Sequence, residues 1–333
     1  MAKQRVLSGI QPTGRAHIGN YLGAFVNWVQ DQRVNDSIFL IVDLHGLTVE
    51  SDRDAMRAAT LDMAATLFAV GIDPSDATVV IQSHVPGHAQ LGWVMECTAT
   101  YGELSRMTQF KEKSKGLSKV RAGLFTYPAL MAADILLYHA DLVPVGDDQT
   151  QHLELARDLA IRFNNAYGET FTVPRAQRVS HGSRVMDLAN PLQKMSKSAS
   201  SPQGIIFLSD SDDEVARKIA RAKTDTFNEV AYLPDDPERS GITNLLEMLG
   251  ALTVKPPEEC AVEYSGYGQL KKALTETLVE LLAPIRTRFE LYQNDPAELV
   301  RLLEQGAVRA NEIASETVWD VYDRLGLVGV AGR

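Results

Sequence analysis

Three groups of residues in this chain have the types and spacing to do chemistry. The first is Gly9-Ile10-Gln11-Pro12-Thr13-Gly14-Arg15-Ala16-His17-Ile18-Gly19-Asn20, set between an apolar run and a helical pattern. Glycine lets backbone approach a ligand closely, and unpaired N–H groups at a helix start favour phosphate. His17 and Asn20 can donate to a phosphoryl oxygen from the same end. The glycines alone also fit a plain turn with a cap residue. The second group is Lys194-Met195-Ser196-Lys197-Ser198. Two lysines three apart on a small polar segment can reach a pyrophosphate and neutralise it as it leaves; an ordinary basic surface loop would read the same way. The third is Tyr127, Met131, Asp134 and Tyr138, whose spacing puts them on one helix face, with Pro128 suited to the first helical turn. An Asp inside Leu-Met-Ala-Ala-Asp-Ile-Leu-Leu is costly to bury without a donor. Backbone, an arginine or a ligand that only donates would each serve.

Positioning these groups requires strands alternating with helices. Arg5–Gly9, Ile38–Val42, Thr78–Ile81 and Leu142–Val145 read as short buried strands. Between them, Gly19 to about Gln32 has helical spacing, with Tyr21, Leu22, Phe25, Val26 and Val29 on one face. Ser51 and Asp54 resemble a capping box for a helix over Asp54–Val70 closed by Gly71, and a further helix runs from Gln149 to Asn164. The expectation is an α/β fold: a Rossmann-like parallel sheet with ligands outside the carboxyl ends of its strands. From about residue 204 the pattern becomes all-helical. Asp212, Asp213 and Glu214 open one helix and Arg217, Lys218 and Arg221 follow. Two domains are expected, residues 1–203 carrying the sheet and 204–333 helical, with the last helix able to pack back on the first domain.

The composition excludes several classes. The 333 residues carry 33 Lys+Arg against 43 Asp+Glu, a net charge of −10, with 45% apolar residues. No apolar run approaches the roughly 18 residues of a membrane span, and Val6–Gly9 is too short for a secretory signal. Cys97 and Cys260 cannot build a disulfide framework or a cysteine-rich metal site. A cytoplasmic protein with no resident metal is expected. Residues 204–333 hold 14 basic and 23 acidic side chains, so any nucleic-acid contact there must use small clusters such as Lys271–Lys272 and Arg286/Arg288. Lys111, Lys113, Lys115, Lys119 and Arg121 form a further basic stretch.

His17-Ile-Gly-Asn20 upstream and Lys194-Met-Ser-Lys-Ser198 downstream resemble the paired signatures of class I aminoacyl-tRNA synthetases. Gly9-Ile-Gln-Pro-Thr-Gly14, Met107-Thr-Gln-Phe-Lys-Glu-Lys-Ser114, Ala132-Ala-Asp-Ile-Leu-Leu-Tyr138 and Val143-Pro-Val-Gly-Asp-Asp-Gln149 resemble the bacterial tryptophanyl-tRNA synthetase family. The resemblance runs from about Val6 to the C-terminal helices. It implies activation of L-tryptophan by ATP and transfer to tRNA(Trp), in a homodimer whose helical domain reads the anticodon. It further implies that Asp134 meets the indole nitrogen. Leu7, Val42, His45, Tyr127, Met131, Val143 and Val145 would line the ring, and Gln149 would meet the amino acid's polar end. ATP would lie against Gln11, Pro12, Thr13, Gly19, Asn20, Gly146, Asp147, Asp148, Val185, Met195, Ser196 and Ser198. His17, Asn20, Lys113, Lys194 and Lys197 would act on the phosphates, with Mg²⁺ accompanying ATP and the last two lysines on a mobile loop. Leu7 replaces a phenylalanine common in the family, and Asp43-Leu44-His45-Gly46 departs from Asp-Gln-His-Ala. A tyrosine enzyme of the same fold and a non-catalytic tryptophan- or adenylate-binding paralogue are the alternatives.

Overall fold

The apolar runs form a five-stranded, wholly parallel sheet in the computed structural model, which describes residues 3–50, 52–146, 149–177, 185–196 and 201–329. β1 (Arg5–Ile10), β2 (Asp36–Ile41), β3 (Ala77–Ile81), β4 (Leu142–Pro144) and β5 (Arg175–Gln177) stand in the order β3-β2-β1-β4-β5. In β2, Phe39 and Ile41 enter the core on one face while Ile38 and Leu40 enter it on the other. Alternation of side chains across a strand buried on both faces accounts for this continuous apolar run. β5 lies outside the expected strands. Arg-Ala-Gln has no apolar signature, and backbone pairing with β4 at the sheet edge defines it instead.

Helices cover both faces. α1 (Ile18–Asn20) passes through a π-helical turn at Tyr21–Phe25 into α2 (Val26–Val34). The wider turn rotates the apolar face, so Leu22, Phe25 and Trp28 are buried while Val26 and Val29 are only half-buried. Trp28 stacks on Phe39, ring centroids 4.7 Å apart. After β2 come α3 (Asp43–Gly46) and α4 (Arg53–Ala69). The cap of α4 is Asp52, whose carboxylate accepts from the N–H groups of Asp54 and Ala55, in place of Ser51, which lies outside the described residues. Gly71, at φ 110°, follows its end. α5 (Gly87–Thr98), α6 (Tyr101–Arg106), α7 (Thr108–Ser114) and α8 (Ala122–Leu136) lead to β4, and α9 (Thr150–Tyr167) leads to β5. Because α8 starts at Ala122, Pro128 falls in its second turn rather than its first. Tyr138 sits beyond the helix end, fully buried.

The remaining helices are α10 (Asp212–Arg221), α11 (Ser240–Thr253), α12 (Pro257–Val262), α13 (Tyr267–Asn294) and α14 (Pro296–Arg324). α10 has the expected acidic start and basic end, sealed by a reciprocal Ser211–Glu214 capping box. These helices share the core of the sheet. Val215, Leu245, Leu274 and Leu282 join the apolar cluster of Phe39 and Ile41. α14 begins in that cluster with Leu299 and Leu303 and ends in the opposite one with Ala310, Ala314, Val318 and Val321. It passes so close to β3 that a Cβ on Gly306 would lie 1.9 Å from the Val79 carbonyl oxygen. No helix among the described residues is long and apolar enough to cross a membrane.

Candidate active site

A cavity of about 320 Å³ opens beyond the carboxyl ends of β1, β2 and β4. Strand order reverses between β1 and β4, and a crevice at such a switch point is where open α/β sheets bind ligands. Gly9 and Gln11 reach the cavity from the end of β1, Val42 and His45 from the end of β2, and Val143, Pro144 and Val145 from β4. Tyr127, Met131 and Asp134 come from α8, where +4 and +3 spacing aligns them. Leu7, Ser8, Leu40, Gln109, Lys113, Ile135 and Gln149 complete the wall. All nine residues expected around an indole ring and its amino acid therefore line one cavity.

Asp134 is buried and held on three sides. Gln82 Nε2 donates to its Oδ1 at 2.8 Å, His88 Nδ1 contacts the same oxygen at 2.6 Å, and His45 Nε2 contacts Oδ2 at 2.8 Å. Burial by itself would raise the carboxyl pKa. The hydrogen bonds and charge of His45 and His88 outweigh it and hold Asp134 at about 2. An ionised carboxylate only accepts, so both imidazoles donate to it. Tyr138, whose pKa burial and the Asp134 charge push up, keeps its proton and lies 2.8 Å from His88 Nε2. His88 thus bridges the two groups, Nδ1 to the carboxylate and Nε2 to the tyrosine hydroxyl. Of the roughly four acceptor positions on a carboxylate, three are taken and one on Oδ2 remains. A donor-only group entering the cavity fits that position.

Tyr127 and Lys113 form the mouth. The Tyr127 hydroxyl lies 2.8 Å from His152 Nε2, and burial pushes its pKa up to about 12, so it stays protonated. Lys113 Nζ sits 5.4 Å from the centre of the Tyr127 ring. Its ammonium thus stands at the edge of a pocket that already carries one carboxylate.

The first motif departs from expectation. The N–H groups at the start of α1 are already paired: Ile18 N–H with Ile206 O at 2.8 Å, Gly19 N–H with His17 Nδ1 at 3.1 Å, and Asn20 N–H with His17 O at 2.8 Å. Asn20 Oδ1 accepts from His17 N–H at 3.0 Å, closing a capping box. The backbone of this helix start therefore offers no ready phosphate cradle. With Nδ1 accepting, a neutral His17 carries its proton on Nε2. A Cβ on Gly19 would crowd the His17 ring at 3.0 Å, and the residue lies beside Val185.

Val185, Met186 and Asp187 pair antiparallel with Gln193, Lys194 and Met195 through Met195 N–H to Val185 O and Asp187 N–H to Gln193 O. Met195 is buried in the core, whereas Lys194 is exposed. Pro12 is buried, Thr13 and Gly146 are exposed, and Ser196 is half-buried. Asp147, Asp148, Lys197 and Ser198 lie outside the described residues.

Sequence reasoning missed Gln82, His88 and Gln109. Gln82 and His88 follow β3 in a short turn and the first turn of α5; their only signal was a run of polar side chains directly after a buried strand. The basic clusters proposed for nucleic acid in the helical region have other employment. Lys271 Nζ donates to the carbonyls of Ala220 and Ala222 at the end of α10, and Arg288 Nε to that of Ala69 at the end of α4. Arg286 donates to Asp210 O and pairs with Asp212. Cations closing helix C-termini satisfy orphan carbonyls and the dipole. Among these four, Lys272 is exposed and only loosely paired with Glu276 at 3.8 Å.

A parallel sheet with its pocket at the switch point and paired His-Ile-Gly-Asn and Lys-Met-Ser-Lys-Ser signatures defines a nucleotide-using α/β enzyme class. The model of the family described as "tRNA synthetases class I (W and Y)" matches residues 1–283, and the chain belongs to that family. Within it, the chain is 48% identical over 331 residues to Tryptophan--tRNA ligase 2 of Streptomyces avermitilis, covering 98% of both chains. The tryptophanyl-tRNA synthetase structure from Mycoplasma pneumoniae is similar at a TM-score of 0.89 and 37% identity, over 98% of each chain. That from Campylobacter jejuni, complexed with ADP and tryptophan, is similar at 0.83 and 34% identity, over 97% of this chain and all of the other.

Proposed function

We propose that this chain is a tryptophan–tRNA ligase. It activates L-tryptophan with ATP to tryptophanyl-adenylate and transfers the aminoacyl group to tRNA(Trp), releasing AMP and diphosphate. The single acceptor position left on Asp134, at the wall of the 320 Å³ cavity, carries the reading: an indole N–H can only donate. Relatives 48% and 49% identical over 98% and 97% of the chain bear that name, whereas the tyrosyl-tRNA synthetase structures from Aeropyrum pernix and Archaeoglobus fulgidus are similar at only 24% and 23% identity.

In the first step the tryptophan carboxylate oxygen attacks the α-phosphorus of ATP. The bond from that phosphorus to the bridging oxygen breaks and diphosphate leaves with the electron pair. Gln149 would meet the amino acid's polar end, with Gln11, Pro12, Thr13, Gly19, Gly146 and Val185 against the nucleotide. His17 Nε2–H and the ammonium groups of Lys113, Lys194 and Lys197 would balance the developing phosphate charge. In the second step the terminal adenosine 2′-oxygen of tRNA attacks the adenylate carbonyl carbon, the bond from that carbon to the phosphate oxygen breaks, AMP leaves with the electron pair, and the hydroxyl proton is released. Among the described residues no three His, Cys, Asp or Glu side chains converge as a resident metal site. Mg²⁺ would come bound to phosphate oxygens of ATP. Residues 1–203 would carry this chemistry and 204–333 the anticodon contacts, in a cytoplasmic homodimer.

The test is ATP–pyrophosphate exchange without tRNA, with tryptophan, tyrosine and phenylalanine compared side by side. Exchange driven by tryptophan alone is expected. Exchange driven by tyrosine would move Asp134 to another partner, and none at all would leave the binding-only alternative.

A further inference from the structure

Asn244 belongs to α11, in the helical region, is 2% exposed, and has no contact with the cavity. Its carboxamide nevertheless makes two hydrogen bonds to a single backbone residue of the ribbon that bears Lys194. Oδ1 accepts from Met186 N–H at 2.9 Å and Nδ2 donates to Met186 O at 3.0 Å. Met186 stands opposite Lys194 in the antiparallel bridge. Its neighbours Val185 and Asp187 spend their O and N–H across the ribbon on Met195 and Gln193. The Met186 groups therefore point outward, and Asn244 completes them as a third strand would.

The same ribbon is tied down beyond Met186. Asp187 Oδ1 accepts from Ala189 and Asn190 N–H groups at 2.7 and 2.9 Å, and Leu188 N–H donates to Gly204 O at 3.0 Å. Gly204 must lack a side chain, because a Cβ there would lie 2.0 Å from the Asp187 carboxylate. These bonds fix the turn, and Lys223 N–H donates to Leu188 O at 2.8 Å; among the described residues it is the Asn244 side chain that ties Met186, the residue facing Lys194, to the helical region.

We infer that Asn244 is a positioning residue for adenylate formation: it sets the height of the Lys194 strand, so the helical region is coupled to the phosphate end of the site. The inference rests on Lys194 acting on the leaving phosphates. An amide is needed because one end must accept and the other donate, a pairing that Asp, Leu and Ala cannot supply.

The experiment is tryptophan-dependent ATP–pyrophosphate exchange on full-length wild type, Asn244→Ala, Asn244→Asp, Lys194→Ala and the Asn244→Ala/Lys194→Ala double variant, with melting temperatures alongside. Asn244→Ala is expected to lower kcat/KM for ATP roughly tenfold and leave KM for tryptophan within about twofold. Asn244→Asp, similar in shape and retaining the Met186 N–H bond, provides a second, less disruptive test with the same direction of change. The decisive readout is coupling: on the Lys194→Ala background, Asn244→Ala should cost little further. Full multiplication of the two losses, equal rises in KM for ATP and tryptophan, or wild-type kinetics in a folded Asn244→Asp variant would each overturn the inference. Loss of tryptophan-dependent exchange in the wild type would instead overturn the functional reading beneath it.

Discussion

Asp134 carries a charge in a buried place because four neighbours arrange it: Gln82, His88 and His45 bond it directly, and Tyr138 orients His88. Asp134→Asn presents an amide N–H₂ to a site built from donors. Tryptophan recognition should weaken by about 2–3 kcal/mol, read as a higher KM for tryptophan with the KM for ATP nearly unchanged. The same carboxylate predicts an acid response. Its folded pKa, about 2, lies below its ordinary value of 3.8. The charged form is thus favoured by folding, and that stabilisation is complete above about pH 4 and lost as the pH falls toward 2. On the order of 2 kcal/mol is involved. Acid titration monitored by circular dichroism should show a steeper loss of stability in this window for wild type than for Asp134→Asn.

Helix ends and close approaches decide how the elements dock. Lys271 and Arg288 were candidates for nucleic acid on charge alone, yet both close helix C-termini. Lys271→Met should therefore lower the melting temperature, by about 1 kcal/mol of stability, and leave KM for tRNA unchanged. A changed KM with an unchanged melting temperature would return Lys271 to the tRNA surface. Gly306 marks the opposite case, a contact made possible by an absent side chain. Gly306→Val must push α14 off β3, and a destabilisation of about 3 kcal/mol or more is expected in urea unfolding. Unaltered stability would mean that α14 can shift without loss.

The chain has no core-level seam at residue 204. Helices after that point complete the apolar clusters on both faces of the sheet, and α14 contributes to both. A chain truncated after Asn294 loses the residues that cover β3 and α5, including Ala310, Ala314 and Val318. Such a chain should be insoluble or bind a hydrophobic dye strongly, not fold into a shortened enzyme. Soluble, cooperatively melting protein from this truncation would show that the sheet is covered without α14.

Local pattern was enough for the parallel α/β class, four of the five strands, and the helical second half, because buried strands and amphipathic helices write their periods into adjacent residues. The cavity-lining set was legible through the resemblance of the long motifs to a known family, and +3 and +4 spacing on α8 accounts for Tyr127, Met131 and Asp134 facing the cavity together. Other features depend on partners far apart in the chain. β5 exists through pairing with β4, Gln82 and His88 meet Asp134 from positions about fifty residues away, and the start of α1 spends an N–H on Ile206. Whether a lysine is a free cation or a helix cap, and whether a helix N-terminus is open to an anion, is settled by what packs against it. Hydrogen-bond satisfaction in the interior is a property of the assembled fold, so those answers came only with the tertiary structure.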